Sequence, residues 1–337
     1  MPELFKSLFG QKRDREMVLY AHFPCFDGVA SAVLAKTALE MGSKSVVRKI
    51  LPVTYDVRTS WLSTRLEKHA VVVDFLFHPD AEYWADHHTT SFLDQSAVQA
   101  FRSRASRKKW LYDPSARSCC SVIWQSCGSA VENRVLFEDL VSWADKIDSA
   151  AYASVDEAIF GEQPALRINT SLLVDADADY FEFLVGSISR RGISATAQSR
   201  QVKGRVRKAR QMITRGLQLA KKVIRLEGDV AVLRADETAD SIVSRYTPYL
   251  FFPNARYSIV SSHSADMTKV TAMRNPWIQF ESVPLGPLFS QFGGGGHDRV
   301  GSVELRDGTV SADTVLANLL HELQSNKVIS HRESVFA

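Results

Sequence analysis

Apolar runs of strand length alternate with stretches of helical spacing over the first third of the chain. Residues 17–22 (MVLYAH) form one such run, a polar loop follows, and 28–41 carry apolar residues at helical spacing before Gly42. Residues 46–53 give a second strand and 70–74 (AVVVD) a third, with Asp74 at its carboxyl end. Tyr83-Trp84-Ala85 is also strand-like and runs into Asp86. Strands separated by helices predict a parallel α/β sheet, which receives its ligands at the carboxyl edge. Residues 97–109 are expected as a basic helix or loop near that edge. Residues 117–127 and 131–149 are expected as helices, the second with Val135, Leu136, Leu140, Val141 and Ala144 on its apolar face.

The pattern changes after residue 187. Val202, Val206, Met212, Ile213, Leu217, Ala220 and Ile224 recur every three to four residues, which predicts one long amphipathic helix joining two domains. Beyond it, strands at 229–233, 255–262, 269–273 and 300–305, with helices at 239–245 and 314–323, give a second and smaller α/β domain. The expected division is 1–187, a helical linker over 188–226, and 227–337.

At 337 residues the chain is long enough for two cores. Its 45% hydrophobic and 23% charged content disfavours disorder, collagen and coiled coil. No apolar window is long enough for a membrane span. Without a secretory signal, the expected compartment is the cytoplasm. Four cysteines with no C-x-x-C pair point to reduced thiols. The net charge of +3 conceals a strong asymmetry, because positions 190 to 225 hold twelve Lys and Arg residues and no Asp or Glu. Such a segment is either a solvated helix face or a surface that meets phosphate.

Candidate chemistry gathers in the first domain as His22-x-x-Cys25-x-Asp27-Gly28, then Asp74, then Asp86-His87-His88, then Asp145-Lys-Ile-Asp148. Carboxylates and imidazoles collected at one sheet edge suit two divalent cations of the Mn²⁺, Fe²⁺ or Zn²⁺ type better than Ca²⁺. Such a pair can support displacement at phosphorus. In the second domain Gly293, Gly294, Gly295 and Gly296 precede His297 and a strand. A glycine turn in that position predicts backbone brought close to a ligand.

Taken together, Asp86-His87-His88, Asp74, the His22/Asp27 loop and Asp145 resemble the DHH phosphoesterase superfamily. Phe292-Gly-Gly-Gly-Gly-His297 with Gly301, and Lys269-Val-Thr-Ala-Met-Arg274, are similar to its associated C-terminal domain. The resemblance implies two divalent ions, with manganese first. His22 would bind the first ion, Asp27, His87 and Asp145 the second, and Asp74 would bridge them. Asp86 would orient the neighbouring imidazole, and His88 would meet the scissile phosphate or leaving oxygen. Asp148, three residues on, is the alternative to Asp145. Cys25 stands where most of the family has an aspartate, and a thiolate there favours zinc or iron. Ser118 at a helix start is either a phosphate contact or an ordinary cap. Arg274 would fork onto phosphate and His297 onto a terminal nucleotide.

The family includes RecJ-like exonucleases, oligoribonucleases, adenosine bisphosphate phosphatases, cyclic dinucleotide phosphodiesterases and polyphosphatases. The basic segment makes a short single-stranded oligonucleotide, trimmed from one end to mononucleotides, the expected substrate. The alternatives are a small-nucleotide phosphatase or phosphodiesterase, and a nucleotide sensor without catalysis. No membrane partner is expected, and a homodimer stays open.

Overall fold

The computed structural model describes residues 15–43, 45–104, 109–128, 131, 134–236, 240–264, 267–306 and 310–332. Two compact units form, one from 1–151 with 162–206 and the other from 152–161 with 207–337.

The first unit begins with β1 (Glu16–His22), α1 (Phe26–Ser43), β2 (Val46–Val53), β3 (Ala70–Val73) and β4 (Tyr83–Asp86). It continues through α2 (Gln95–Arg104), β5 (Lys109–Tyr112), α3 (Cys119–Cys127) and α4 (Arg134–Asp148). The strands make one sheet in the order β2-β1-β3-β4-β5, parallel throughout. The order reverses between β1 and β3, so a crevice opens at the carboxyl ends of these two strands.

Two local devices fix what stands there. A Cβ on Gly28 would lie 1.9 Å from the His22 carbonyl oxygen, so only glycine lets α1 start directly against the end of β1. The connection between β3 and β4 is short, buried and without a helix. Its backbone is held by indole N–H groups: Trp61 donates to the Leu76 carbonyl (3.0 Å), Trp84 to Phe75 (2.9 Å) and Trp110 to Ala81 (3.1 Å). These rings form the aromatic core on that side of the sheet with Phe75 and Phe77, and satisfying the carbonyls makes a buried irregular segment tolerable.

After α5 (Val155–Phe160), α6 (Pro164–Ser171) and α7 (Ala178–Ala197), α8 (Arg200–Val223) runs through the boundary at residue 206. The second unit then adds β6 (Arg225–Glu227), β7 (Val230–Asp236), α9 (Thr247–Phe251), β8 (Tyr257–Ser264) and β9 (Met267–Arg274). It closes with α10 (Leu285–Ser290), β10 (Gly295–His297), β11 (Val300–Arg306) and α11 (Ala312–Arg332). The sheet order is β10-β11-β9-β8-β7-β6, with β7 and β8 the parallel pair. Its core packs Val232, Tyr257, Ile259 and Val270 against Phe289, Leu316 and Leu319.

Several expectations need correction. The single helix over 187–226 is two helices, and α7 itself is interrupted at Gly192 (φ 75°), where a Cβ would meet Leu136 at 2.3 Å. Residues 240–245 of the expected 239–245 helix are turn and irregular chain, and residue 239 lies outside the described residues. Ile242 N–H donates to the Met212 carbonyl (3.1 Å), which pins this segment against α8. Val135 is 81% exposed rather than part of the apolar face. Among the basic residues of 97–109, Arg107 and Lys108 fall outside the described residues, and Lys109 opens a strand. No described helix is long and apolar enough to cross a membrane.

Candidate active site

His22 closes β1, Asp74 directly follows β3, and Asp86 closes β4 ahead of His87 and His88. The short Gly28 approach places Asp27 in the first turn of α1, where it is 1% exposed. Its carboxylate accepts the amide N–H groups of Cys119 (2.7 Å) and Cys120 (3.0 Å), so the N-terminus of α3 is seated on Asp27. Asp148, the last residue of α4, reaches the same place from the other side.

The imidazoles are fixed by their second nitrogens. His87 Nδ1 lies 3.1 Å from the Ala116 carbonyl oxygen. A carbonyl can only accept, so Nδ1 carries the proton and Nε2 presents a lone pair. That Nε2 is 3.3 Å from Asp148 Oδ2, 3.6 Å from Asp27 Oδ2 and 4.0 Å from Asp74 Oδ1. His88 Nδ1 pairs with Asp86 Oδ1 at 2.8 Å. Asp86 also accepts the His87 amide (2.8 Å) and the Ser91 hydroxyl (2.6 Å). Asp86 therefore acts on the triplet as a clamp, with His88 as the imidazole it orients.

Among the described residues, the groups whose ligand atoms lie within 4.8 Å of one another include His22, Cys25 and Asp74, then Asp27, His87 and Asp148, and also Asp74, Asp86, His87 and His88. Asp74 stands between the first two, 3.5 Å from His22 Nδ1 and 4.0 Å from His87 Nε2. It is 1% exposed, has φ +54°, and neither carboxylate oxygen has a hydrogen-bond partner among the described residues. A fully buried carboxylate with no donor is costly unless a cation meets it. The nitrogen, oxygen and sulfur donors fit divalent transition metals.

The electrostatics agree. Burial, then the charge of Asp148, pushes Asp27 up to about 6. Burial and the Asp27, Asp86 and Asp148 carboxylates push Asp74 well above the usual carboxylate range. Burial would raise Asp86 too, but His88 more than offsets it and holds Asp86 below its ordinary value. His88 is pushed up to about 9: burial opposes this, and the Asp86 charge and hydrogen bond overcome it. Burial followed by Asp74, Asp148 and Asp27 drives the Cys25 thiol up. Carboxylates crowd this centre, and their mutual repulsion is what a cation would relieve.

No protein-family model matches the chain, and no curated protein matches it significantly. Among solved structures it is similar to a pGpG-specific phosphodiesterase, PggH, from Vibrio cholerae. The TM-score is 0.64 at 18% identity, over 92% of this chain and 99% of that one. It is also similar to an exopolyphosphatase-related protein from Bacteroides fragilis, with TM-score 0.53 and 13% identity over 95% of each chain. The chain shares the fold of both proteins, as its resemblance to the DHH phosphoesterase superfamily implies.

Within this fold the structure brings together His22, Cys25, Asp27, Asp74, Asp86, His87 and His88, and separates Asp145 from them. The Asp145 carboxylate accepts the hydroxyls of Ser118 and Ser121, each at 2.6 Å. Asp148 takes the place beside His87 instead. Ser118 is fully buried as the N-cap of α3, accepting Ser121 N–H. The first free amides of that helix are spent on Asp27, and Ser118 is placed as the cap of α3.

In the second unit, Arg274 is 8% exposed and donates to the carbonyls of Asn275 and Phe280, both at 3.0 Å. Its guanidinium lies 4.3 Å from the Phe280 ring centre. It thus organises the 275–280 turn. Gly295, Gly296 and His297 form β10, an edge strand paired with β11, where a turn was expected. Gly293 has φ +80°, and a Cβ on Gly294 would lie 2.2 Å from the Ser302 carbonyl oxygen, so the run serves close backbone packing. In the basic segment, Arg205 stacks on Tyr180 at 3.7 Å and donates to the Asp175 carbonyl. Arg191 donates to Ser187, and Arg215 pairs with Asp240.

Two residues at the first ligand group escaped the sequence analysis. The Tyr55 ring packs edge-on against His22, with ring centres 5.1 Å apart, and Arg58 follows it by one turn of 3-10 helix. They lie in an irregular loop, where hydrophobic periodicity gives no signal. The position directly after a strand that ends beside the crevice is the one clue available.

Proposed function

We propose that the chain is a metal-dependent phosphodiesterase of small nucleotides, with short linear dinucleotides as its substrate class. The observation that carries this is buried Asp74, whose oxygens have no hydrogen-bond partner among the described residues and lie between two groups of nitrogen, oxygen and sulfur donors. His22, Cys25 and Asp74 would hold one divalent ion, and Asp27, His87 and Asp148, with Asp74 shared, the other. Manganese is the first choice, and Cys25 admits zinc or iron. Bound there, such ions supply Lewis-acid stabilisation of phosphoryl oxygens and make water a better nucleophile.

The protein's own contribution is positioning. The Ala116 carbonyl sets the His87 tautomer, and the N-terminus of α3 and its amides hold Asp27 in place. Asp86 holds His88 through Nδ1, which aims Nε2 away from the clamp, as a hydrogen-bond donor to a substrate oxygen requires. The similarity to a pGpG-specific phosphodiesterase over 92% of this chain and 99% of that one supports the dinucleotide class. End-trimming of longer strands has less support, because Arg191, Arg205 and Arg215 of the basic segment are engaged within the fold.

The test compares Mn²⁺-dependent cleavage of a 5′-phosphorylated dinucleotide, a cyclic dinucleotide, adenosine 3′,5′-bisphosphate and a 24-residue RNA. The linear dinucleotide should be turned over with the highest kcat/KM, and His87→Ala should abolish that turnover. Equal or faster use of the long RNA, or no cleavage of any substrate, would overturn the proposal.

A further inference from the structure

We propose that Tyr55 and Arg58 form a contact site for a second phosphate of the substrate, next to the one whose bond is cut. This rests on the phosphodiesterase function proposed above and names two residues that belong to neither ligand group. Arg58 is half-buried, yet its guanidinium makes no hydrogen bond and no ion pair with any described residue. Exposed arginines often lack partners, whereas a half-buried one normally finds a carboxylate or carbonyl. The Tyr55 hydroxyl is likewise without a hydrogen-bond partner among the described residues.

The two side chains are brought together by local geometry. Tyr55–Val57 is one turn of 3-10 helix with Arg58 at its C-cap, where residues three apart eclipse each other. The Arg58 amide donates to the Tyr55 carbonyl at 2.9 Å. The Tyr55 ring sits against His22 (5.1 Å) and Phe75 (5.2 Å), the residue after Asp74. Trp61 anchors the far end of the same loop, fully buried and edge-on to Phe75 at 4.9 Å. The loop is thus a rigid extension of the metal-ligand groups, and its two donors are pre-organised.

Their chemistry selects the ligand. A guanidinium fork beside a phenolic hydroxyl offers several N–H and O–H donors and one positive charge, which suits a phosphate. The contacts of the Tyr55 ring with His22 and Phe75 place the pair at the border of the centre. Because the pair contributes no ligand atom, the anion it meets is one beside the reacting group.

The experiment compares a 5′-phosphorylated dinucleotide with the same dinucleotide lacking the 5′-phosphate, in wild type, Arg58→Gln, Arg58→Lys and Tyr55→Phe. The ratio of kcat/KM between the two substrates should fall about tenfold or more in Arg58→Gln, the scale of one lost charged hydrogen bond. Arg58→Lys should restore part of it, and Tyr55→Phe should lower it less. Melting temperatures equal to wild type exclude misfolding. An unchanged ratio in Arg58→Gln overturns the proposal. If wild type cleaves neither substrate, the phosphodiesterase function fails by itself. Calorimetric binding of the two dinucleotides then decides the phosphate site, by whether Arg58→Gln loses the preference for the phosphorylated one.

Discussion

Asp145 and Asp148 lie one helical turn apart on α4, and the structure assigns them opposite duties that two substitutions can separate. In Asp145→Ala the buried hydroxyls of Ser118 and Ser121 lose their shared acceptor. Leaving a buried polar group unpaired costs about 1–3 kcal/mol, so two such groups put the loss at about 2–6 kcal/mol. The first unit should then melt lower by about 4–24 °C at a conversion of roughly 2–4 °C per kcal/mol. Below that transition, kcat/KM should stay within about threefold. Asp148→Ala should do the reverse. It removes a ligand atom beside His87 Nε2 at 3.3 Å, and kcat/KM should fall at least about a hundredfold. In chelator-treated protein it also removes a like charge within 4.8 Å of Asp27, a repulsion of at least about 3.5 kcal/mol at an effective dielectric constant near 20. Metal-free Asp148→Ala should therefore melt at or above metal-free wild type. Thermal denaturation with and without EDTA, beside steady-state kinetics, gives both quantities. A dead but stable Asp145→Ala, or an active Asp148→Ala, would refute the assignment.

Three further outcomes follow from the same geometry. In chelator-treated protein Asp27, raised from 3.8 to about 6, binds its proton more tightly folded than unfolded. That stability is present below about pH 4 and is lost as pH rises through 6, a change of about 3 kcal/mol. Melting temperature relative to Asp27→Asn should thus fall between pH 4 and 7, and a constant difference would count against the buried charge. Loading with Co²⁺ should give a sulfur-to-cobalt charge-transfer band in the near ultraviolet that Cys25→Ser lacks, and identical spectra would remove Cys25 from the ligands. Exposed Arg207 and Lys208 on α8 should be dispensable for dinucleotides, so a large rise in KM for Arg207→Gln with Lys208→Gln would revive the long-strand substrate.

The parallel half of the fold was legible because each buried strand is a short continuous apolar run that ends in a charged or imidazole residue. His22, Asp74 and Asp86 announce the carboxyl edge in that way. β5 and β10 have four and three residues, too few for a periodic signal, and two of the three in β10 are glycine. The break at Gly192 depends on a contact with Leu136 more than fifty positions away, which no local pattern contains. Asp145 and Asp148 share a helix face, so spacing could not separate them. What decides is the pair of serine hydroxyls from the α3 start, which captures Asp145. Tyr55 and Arg58 sit in a loop held by Trp61, and only the folded chain sets them beside His22.

Asp74 combines three penalties at one position: deep burial, a carboxyl group without a hydrogen-bond partner among the described residues, and the left-handed backbone that costs a non-glycine residue about 1 kcal/mol or more. Glycine would suit the backbone there and asparagine would remove the charge. Random stabilising mutagenesis without metal should therefore drift toward replacing this residue, producing a sturdier and inert protein. Selection in the presence of divalent ions should hold it in place, so position 74 reports whether a lineage of this fold has been kept for catalysis or only for folding.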